Sequence, residues 1–340
     1  MASLFARDYA AAPGPARLPV VCLHGLTRNS RDFEAVAPWL AARGRRVLAL
    51  DMRGRGQSAR DPEARYDIAT YTADVIALLD ALGLARALFV GTSMGGLITV
   101  DLATQHPARV AGAVINDIGP ELAPQGLARI AGYVGKGEPL PDWNAAARAC
   151  ATLNADVFPH YGAADWMGMA RRLFREEGGM VIADYDPAIA QAFGRIVADP
   201  DPWGKWHAFA AARPVLLLRG TQTDLLEERV AEAMVAGKPR ARLVPFPASA
   251  MPRCWTNRPR KPRSQTFWRP CPERLPLLPG KQCAVPGLVR QCQAKGQRAW
   301  AHQQAMQSIS APVRRRQATP GGRAARWQRL TSSWPTCRPA

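Results

Sequence analysis

The chain has 340 residues and a formal net charge of +18, from 45 Lys and Arg against 27 Asp and Glu. No uncharged apolar run reaches the roughly 18 residues that a membrane helix needs. The start, Met1-Ala2-Ser3-Leu4-Phe5-Ala6-Arg7-Asp8, lacks the basic segment and apolar stretch of a secretory signal, so neither membrane insertion nor secretion is expected and a cytoplasmic location is.

The charge divides the chain in two. Residues 251–340 hold 18 of the Lys and Arg and a single acid, Glu273, so the first 250 residues carry 27 basic against 26 acidic side chains. Cysteine divides the same way: Cys22 and Cys150 lie early, whereas Cys254, Cys271, Cys283, Cys292 and Cys337 fall in the last ninety residues without one Cys-x-x-Cys pair. Neither a metal site nor a disulfide framework is expected.

Up to residue 250, short apolar runs alternate with amphipathic stretches, which predicts an α/β fold with a mostly parallel, doubly wound sheet and helices on both faces. The first predicted strand, Val20–Leu23, runs into His24-Gly25-Leu26. Phe33, Val36, Ala37 and Leu40 then share one helix face, with Ser30 as the expected cap and Gly44 as the end. A strand over Arg46–Leu50 opens the loop Asp51-Met52-Arg53-Gly54-Arg55-Gly56-Gln57-Ser58. No glycine-rich helix entry follows, so this is not a nucleotide-binding loop. Ile68, Val75, Leu78, Leu79 and Leu82 make the next helical stripe, ending at Gly83.

The strand Ala87–Val90 leads into Gly91-Thr92-Ser93-Met94-Gly95-Gly96, which opens an apolar helix ending near His106-Pro107. So tight a strand-to-helix turn needs small residues on both sides of the serine, which the turn holds exposed above the helix N-terminus. A strand over Val110–Ile115 precedes Asn116-Asp117. From Gly119 to Arg213 the chain reads as helices rich in large apolar residues, among them Tyr133, Phe158, Trp166, Met169, Phe174, Tyr185, Trp203 and Trp206. Most of these should pack as core, and some should line a pocket. The strand Val215–Leu218 runs into Arg219-Gly220-Thr221-Gln222-Thr223-Asp224, and the last predicted strand is Leu243–Phe246.

The elbow around Ser93 and the His24-Gly25-Leu26 turn resemble the α/β-hydrolase fold superfamily, in particular its capped serine hydrolases: esterases, lactonases and C–C bond hydrolases. The loop Asp51–Ser58 is also similar to the superfamily's loop after its next strand. The resemblance implies Ser93 as nucleophile and the Leu26 and Met94 backbone N–H groups as oxyanion donors. It implies Asp224 as triad acid, with Asp117, one strand earlier, as the alternative. His24 sits at the oxyanion turn and is read as structural. The implied organisation is a hydrolase core over residues 1–118 and 214–247, a helical cap over 119–213, and a basic, acid-poor tail over 248–340. The expected partner is a small ester, lactone or diketone, with no cofactor, metal or specific nucleic acid. A serine nucleophile disfavours epoxide hydrolysis and dehalogenation, for which this fold uses Asp.

One element of the pattern is absent. The superfamily places its histidine after the last strand, yet Phe246 is followed by Pro247-Ala248-Ser249-Ala250-Met251-Pro252-Arg253-Cys254-Trp255-Thr256-Asn257, and the only downstream histidine is His302. The genetic code tests whether the frame has shifted. Joining the last base of each codon to the first two of the next forces Ala at Met251/Pro252, Leu at Cys254/Trp255 and Asp at Trp255/Thr256, and allows His at Ala250/Met251. With permitted codons the stretch reads Gly-Val-Gly-His-Ala-Pro-Met-Leu-Asp-Glu-Pro, which resembles the superfamily's histidine loop, and an apolar helix and a stop codon follow before Glu273. The expectation is a one-base frame change near Pro247, leaving Ser93 without its base. Two other readings stay open: a non-catalytic ligand-binding relative, and an anionic-surface or nucleic-acid binder using Arg314-Arg315-Arg316 and its neighbours.

Overall fold

The computed structural model describes residues 3–155 and 161–246. Seven strands, β1 (Phe5–Tyr9), β2 (Val20–Leu23), β3 (Val47–Asp51), β4 (Ala87–Thr92), β5 (Val110–Asn116), β8 (Val215–Gly220) and β9 (Ala241–Phe246), form one sheet in the order β1-β3-β2-β4-β5-β8-β9. All pairings are parallel except that of β1, which runs antiparallel to β3 at the edge. β2 and β3 are buried at every position, as strands covered on both faces should be.

The helices are α1 (Val36–Ala41), α2 (Ile68–Ala81), α3 (Met94–Gln105), α4 (Pro124–Tyr133), α5 (Trp143–Asn154), α6 (Ala163–Leu173), α7 (Ile189–Val197), α8 (Pro202–Ala212) and α9 (Glu228–Val235). Asp67 caps α2 by accepting the Thr70 N–H at 2.8 Å, and Gly83, at φ +64°, turns the chain out after it. The expected Ser30 cap is corrected. Ser30 gives its N–H to Asp51 Oδ1 at 2.6 Å and its hydroxyl accepts from Arg7, so Asn29 caps the short 3₁₀ turn Ser30–Phe33 ahead of α1.

On one face of the sheet, α2, α3, α8 and α9 enclose the main core, with Val75, Leu79, Ile98, Leu102, Trp206 and Met234 among its buried members. On the other face, α1 packs Ala37 and Leu40 against Val20, Cys22, Val47 and Ala49. Further along that face Leu216, Leu218 and Val244, with Val114, form a buried cluster whose described members are all strand residues.

Between β5 and β8 the chain leaves the sheet. The expectation of helices alone is corrected by a hairpin of β6 (Phe174–Glu177) and β7 (Met180–Ala183), joined through Gly178 and Gly179 at φ +59° and +78°. α5, α6 and the hairpin share a small core of Ala146, Cys150, Trp166, Met169, Leu173, Phe174 and Val181. Tyr133, Tyr185 and Trp206 join the main core instead, and Phe158 lies outside the described residues. Among the described residues no helix is long and apolar enough to cross a membrane.

Candidate active site

Ser93 stands between β4 and α3 at φ 49° and ψ −116°, a strained conformation for a residue with a side chain. Its surroundings leave no room for another. A Cβ on Gly91 would lie 2.4 Å from the Gly95 carbonyl oxygen, and one on Gly95 would lie 2.1 Å from that of Leu23. The Ser93 N–H donates to the Asn116 carbonyl at 2.9 Å, and its own carbonyl accepts from Gly96 at 2.7 Å. Sheet and helix thus hold the elbow from both ends.

The turn after β2 lies against it. Arg28 N–H closes the turn on the Gly25 carbonyl at 3.2 Å. His24, fully buried, receives the Met52 N–H on Nε2 at 2.9 Å, which places its proton on Nδ1, 2.7 Å from the Gly25 carbonyl. Burial, with the Arg55 charge nearby, pushes its pKa down to about 4. A neutral imidazole with both nitrogens engaged is a scaffold for the turn, as the sequence implies.

Arg55 joins the turn to the elbow. Its Nε donates to the Leu26 carbonyl at 2.9 Å, while its Nη2 lies 3.5 Å from Met94 Sδ. Arg55 belongs to the loop that resembles the superfamily's, but its link to Leu26 and Met94 leaves no sequence signal, because the partners are remote in the chain.

The two candidate acids lie on adjacent strand ends. Asp117, just past β5 and at φ 50°, donates its N–H to the Leu218 carbonyl at 2.9 Å, and a carboxylate oxygen accepts the Thr223 hydroxyl at 2.6 Å. Burial pushes its pKa up to about 8. Asp224 follows β8 in the loop that carries Thr223, and Arg129 of α4 grips both of its carboxylate oxygens. This clamp has no sequence signature. It also draws α4 close: a Cβ on Gly126 would lie 2.5 Å from the Asp224 carbonyl oxygen.

Of the described histidines besides His24, His106 is exposed at the end of α3, and His207 is exposed on α8 with its ring 5.4 Å from that of Trp203. His160 and His302, and the segment expected to carry the shifted frame, lie outside the described residues. Among the described residues no group of three or more His, Cys, Asp and Glu could hold a metal ion.

The protein is 34% identical over 229 residues to the 3-hydroxybutyrate-oligomer hydrolase of Cupriavidus necator, covering 64% of this chain and 78% of that protein. Its fold matches the crystal structure of an alpha/beta hydrolase from Novosphingobium aromaticivorans with a TM-score of 0.65 at 40% identity, over 73% of this chain and 92% of that one. E-2-(acetamidomethylene)succinate hydrolase, 24% identical, shares the fold with a TM-score of 0.62 over 72% of this chain and 87% of its own. The family model for the alpha/beta hydrolase fold matches residues 19–252. The elbow, the turn after β2 and the parallel sheet therefore accompany a family-wide match, and the chain belongs to the alpha/beta hydrolase fold family.

Proposed function

We propose that the protein's fold is built for hydrolysis of a small carboxylic ester through an acyl-enzyme on Ser93. The observation that carries the reading is the strained Ser93 backbone, held by glycines too crowded to be anything else. Such strain persists where the surrounding structure enforces it, and it lifts the hydroxyl above a helix N-terminus. In the reaction, Ser93 Oγ attacks the acyl carbonyl and the Leu26 and Met94 N–H groups hold the oxyanion. The alcohol leaves with a proton, and water then releases the acid. Asp224 is the acid that orients the base, with Asp117 beside it as a neutral buried carboxyl. The excursion over residues 119–213 serves as a cap, and the oligoester named for the Cupriavidus necator relative favours esters over lactones and diketones as the substrate.

The base is the missing part, and a one-base frame change near Pro247 accounts for it. The family match ends at residue 252, where the composition changes. The sheet face around Leu216, Leu218 and Val244 is where the apolar helix of the restored frame would pack. The nucleotide sequence across codons 240–275 decides this: a neighbouring frame without the His codon or the early stop refutes it.

Function is tested by assaying p-nitrophenyl butyrate and a linear 3-hydroxybutyrate dimer with the chain as written and with the frame restored. Loss of the base costs on the order of 10⁶ in kcat in a serine hydrolase. The restored chain should turn over both esters and lose activity on Ser93→Ala, while the written chain should be slow. Equal, high activity in both chains rules out the account of the tail. Tight ester binding without turnover in the restored chain points instead to a non-catalytic relative.

A further inference from the structure

Arg55 is 1% exposed, and among the described residues no carboxylate lies within ion-pair distance of it. Its donors go to neutral acceptors: the Leu26 carbonyl at 2.9 Å, the Arg53 carbonyl at 2.7 Å, the Tyr71 hydroxyl at 2.5 Å and, at 3.5 Å, Met94 Sδ. The Tyr71 and Tyr66 rings lie 5.1 and 5.7 Å from the guanidinium carbon. The backbone is equally fixed. Arg55 pairs with Tyr185 across an antiparallel bridge, and its N–H donates to the Met52 carbonyl at 3.0 Å.

The nearby Arg53 shows what a purely structural buried arginine looks like in this fold. It is paired with two carboxylates, Asp61 and Asp74. A buried cation without such a partner is costly, and here the same side chain touches Leu26 and Met94, the two residues proposed as oxyanion donors. A fixed positive charge behind those donors acts little on a neutral ester. It acts strongly on the oxyanion that forms from it, because the charge is buried and already in place.

We infer that Arg55 is a positioning residue for the oxyanion hole, clamping the Leu26 turn to the Met94 helix start and supplying a buried positive charge that favours the tetrahedral intermediate. The inference rests on Ser93 being the nucleophile, and the experiment separates the two. The full chain is assayed with p-nitrophenyl acetate and added imidazole, which supplies the absent base from solution, and the rate of Ser93→Ala is subtracted. Arg55→Gln keeps donors but removes the charge; Arg55→Lys keeps the charge and removes the fork.

With folded protein quantified by circular dichroism, Arg55→Gln should lower kcat about 100-fold with KM within threefold, the scale of one lost oxyanion donor. Arg55→Lys should stay within tenfold of the parent. Equal losses in both variants, a change in KM alone, or parental kcat in Arg55→Gln would overturn the role of the charge. A Ser93→Ala chain as fast as the parent would overturn the nucleophile instead. Should Arg55→Gln not fold, Tyr71→Phe and Arg55→Lys decide: the charge survives in both, so both must keep kcat within tenfold.

Discussion

His24 Nε2 accepts the backbone N–H of Met52 at 2.9 Å, tying the turn after β2 to the loop after β3. The bond needs the neutral ring, and burial holds the pKa near 4 against an ordinary value of 6.5. The unfolded chain therefore takes up a proton that the folded chain refuses. The His24 contribution is complete above about pH 6.5 and is lost as pH falls towards 4. Urea titrations from pH 7 to 4 should show a steeper loss of stability in the parent than in His24→Gln; parallel curves would contradict the neutral, bonded ring.

Replacing Ser93 separates strain from chemistry. Ser93→Gly should raise stability by about 1–3 kcal/mol, because glycine accepts the positive φ at little cost. Ser93→Ala retains the strain and should melt with the parent. Neither variant should hydrolyse esters with the frame restored. A thermal melt on the three chains checks the order.

Gly95 has no such tolerance. An added Cβ would meet the Leu23 carbonyl oxygen at 2.1 Å, backbone against backbone. Gly95→Ala should cost more than about 3 kcal/mol or prevent folding, since the elbow and β2 must separate. Circular dichroism and the yield of monodisperse protein report this.

Asp117 and Asp224 should respond oppositely to amidation. Burial raises the Asp117 pKa to about 8 from 3.8, so the folded chain binds a proton that the unfolded chain has released. That stability is whole below about pH 3.8 and declines as pH rises towards 8. Asp117→Asn keeps the neutral form and should be the more stable protein at pH 8, with activity in the restored frame largely retained. Asp224→Asn should cost about 10⁴ in kcat, as loss of a triad acid does. The reverse pattern of activities would make Asp117 the acid.

Arg53 donates from Nε and Nη2 to Asp74 at 2.9 and 2.7 Å, and it also pairs with Asp61, all three side chains being largely buried. Arg53→Met should destabilise by about 3–5 kcal/mol, because it strands the Asp74 carboxylate and leaves Asp61 with the exposed Arg65 as its cationic partner. Combining it with Asp61→Asn and Asp74→Asn should recover much of that loss in chemical denaturation.

What the sequence determined by itself is what acts over a few residues. Apolar runs marked β2, β3, β4, β5, β8 and β9, of which β2, β3 and β8 are buried at every position. Crowding between Gly91 and Gly95 demanded the elbow around Ser93, and the nearness of His24 to the turn assigned it a structural role. The reach of that logic ends with the chain neighbourhood. β1, Phe-Ala-Arg-Asp-Tyr, has too few apolar residues to announce a strand, and it exists because β3 offers it an open edge. Gly178-Gly179 is the one local sign of the hairpin β6–β7, in a stretch otherwise read as helices. Only the tertiary structure decided that Arg129 grips Asp224, 95 residues away, and that Arg55 joins Leu26 to Met94, 29 and 39 residues away. A hydrogen bond depends on distance in space, and chain separation leaves no pattern in sequence from which it can be read.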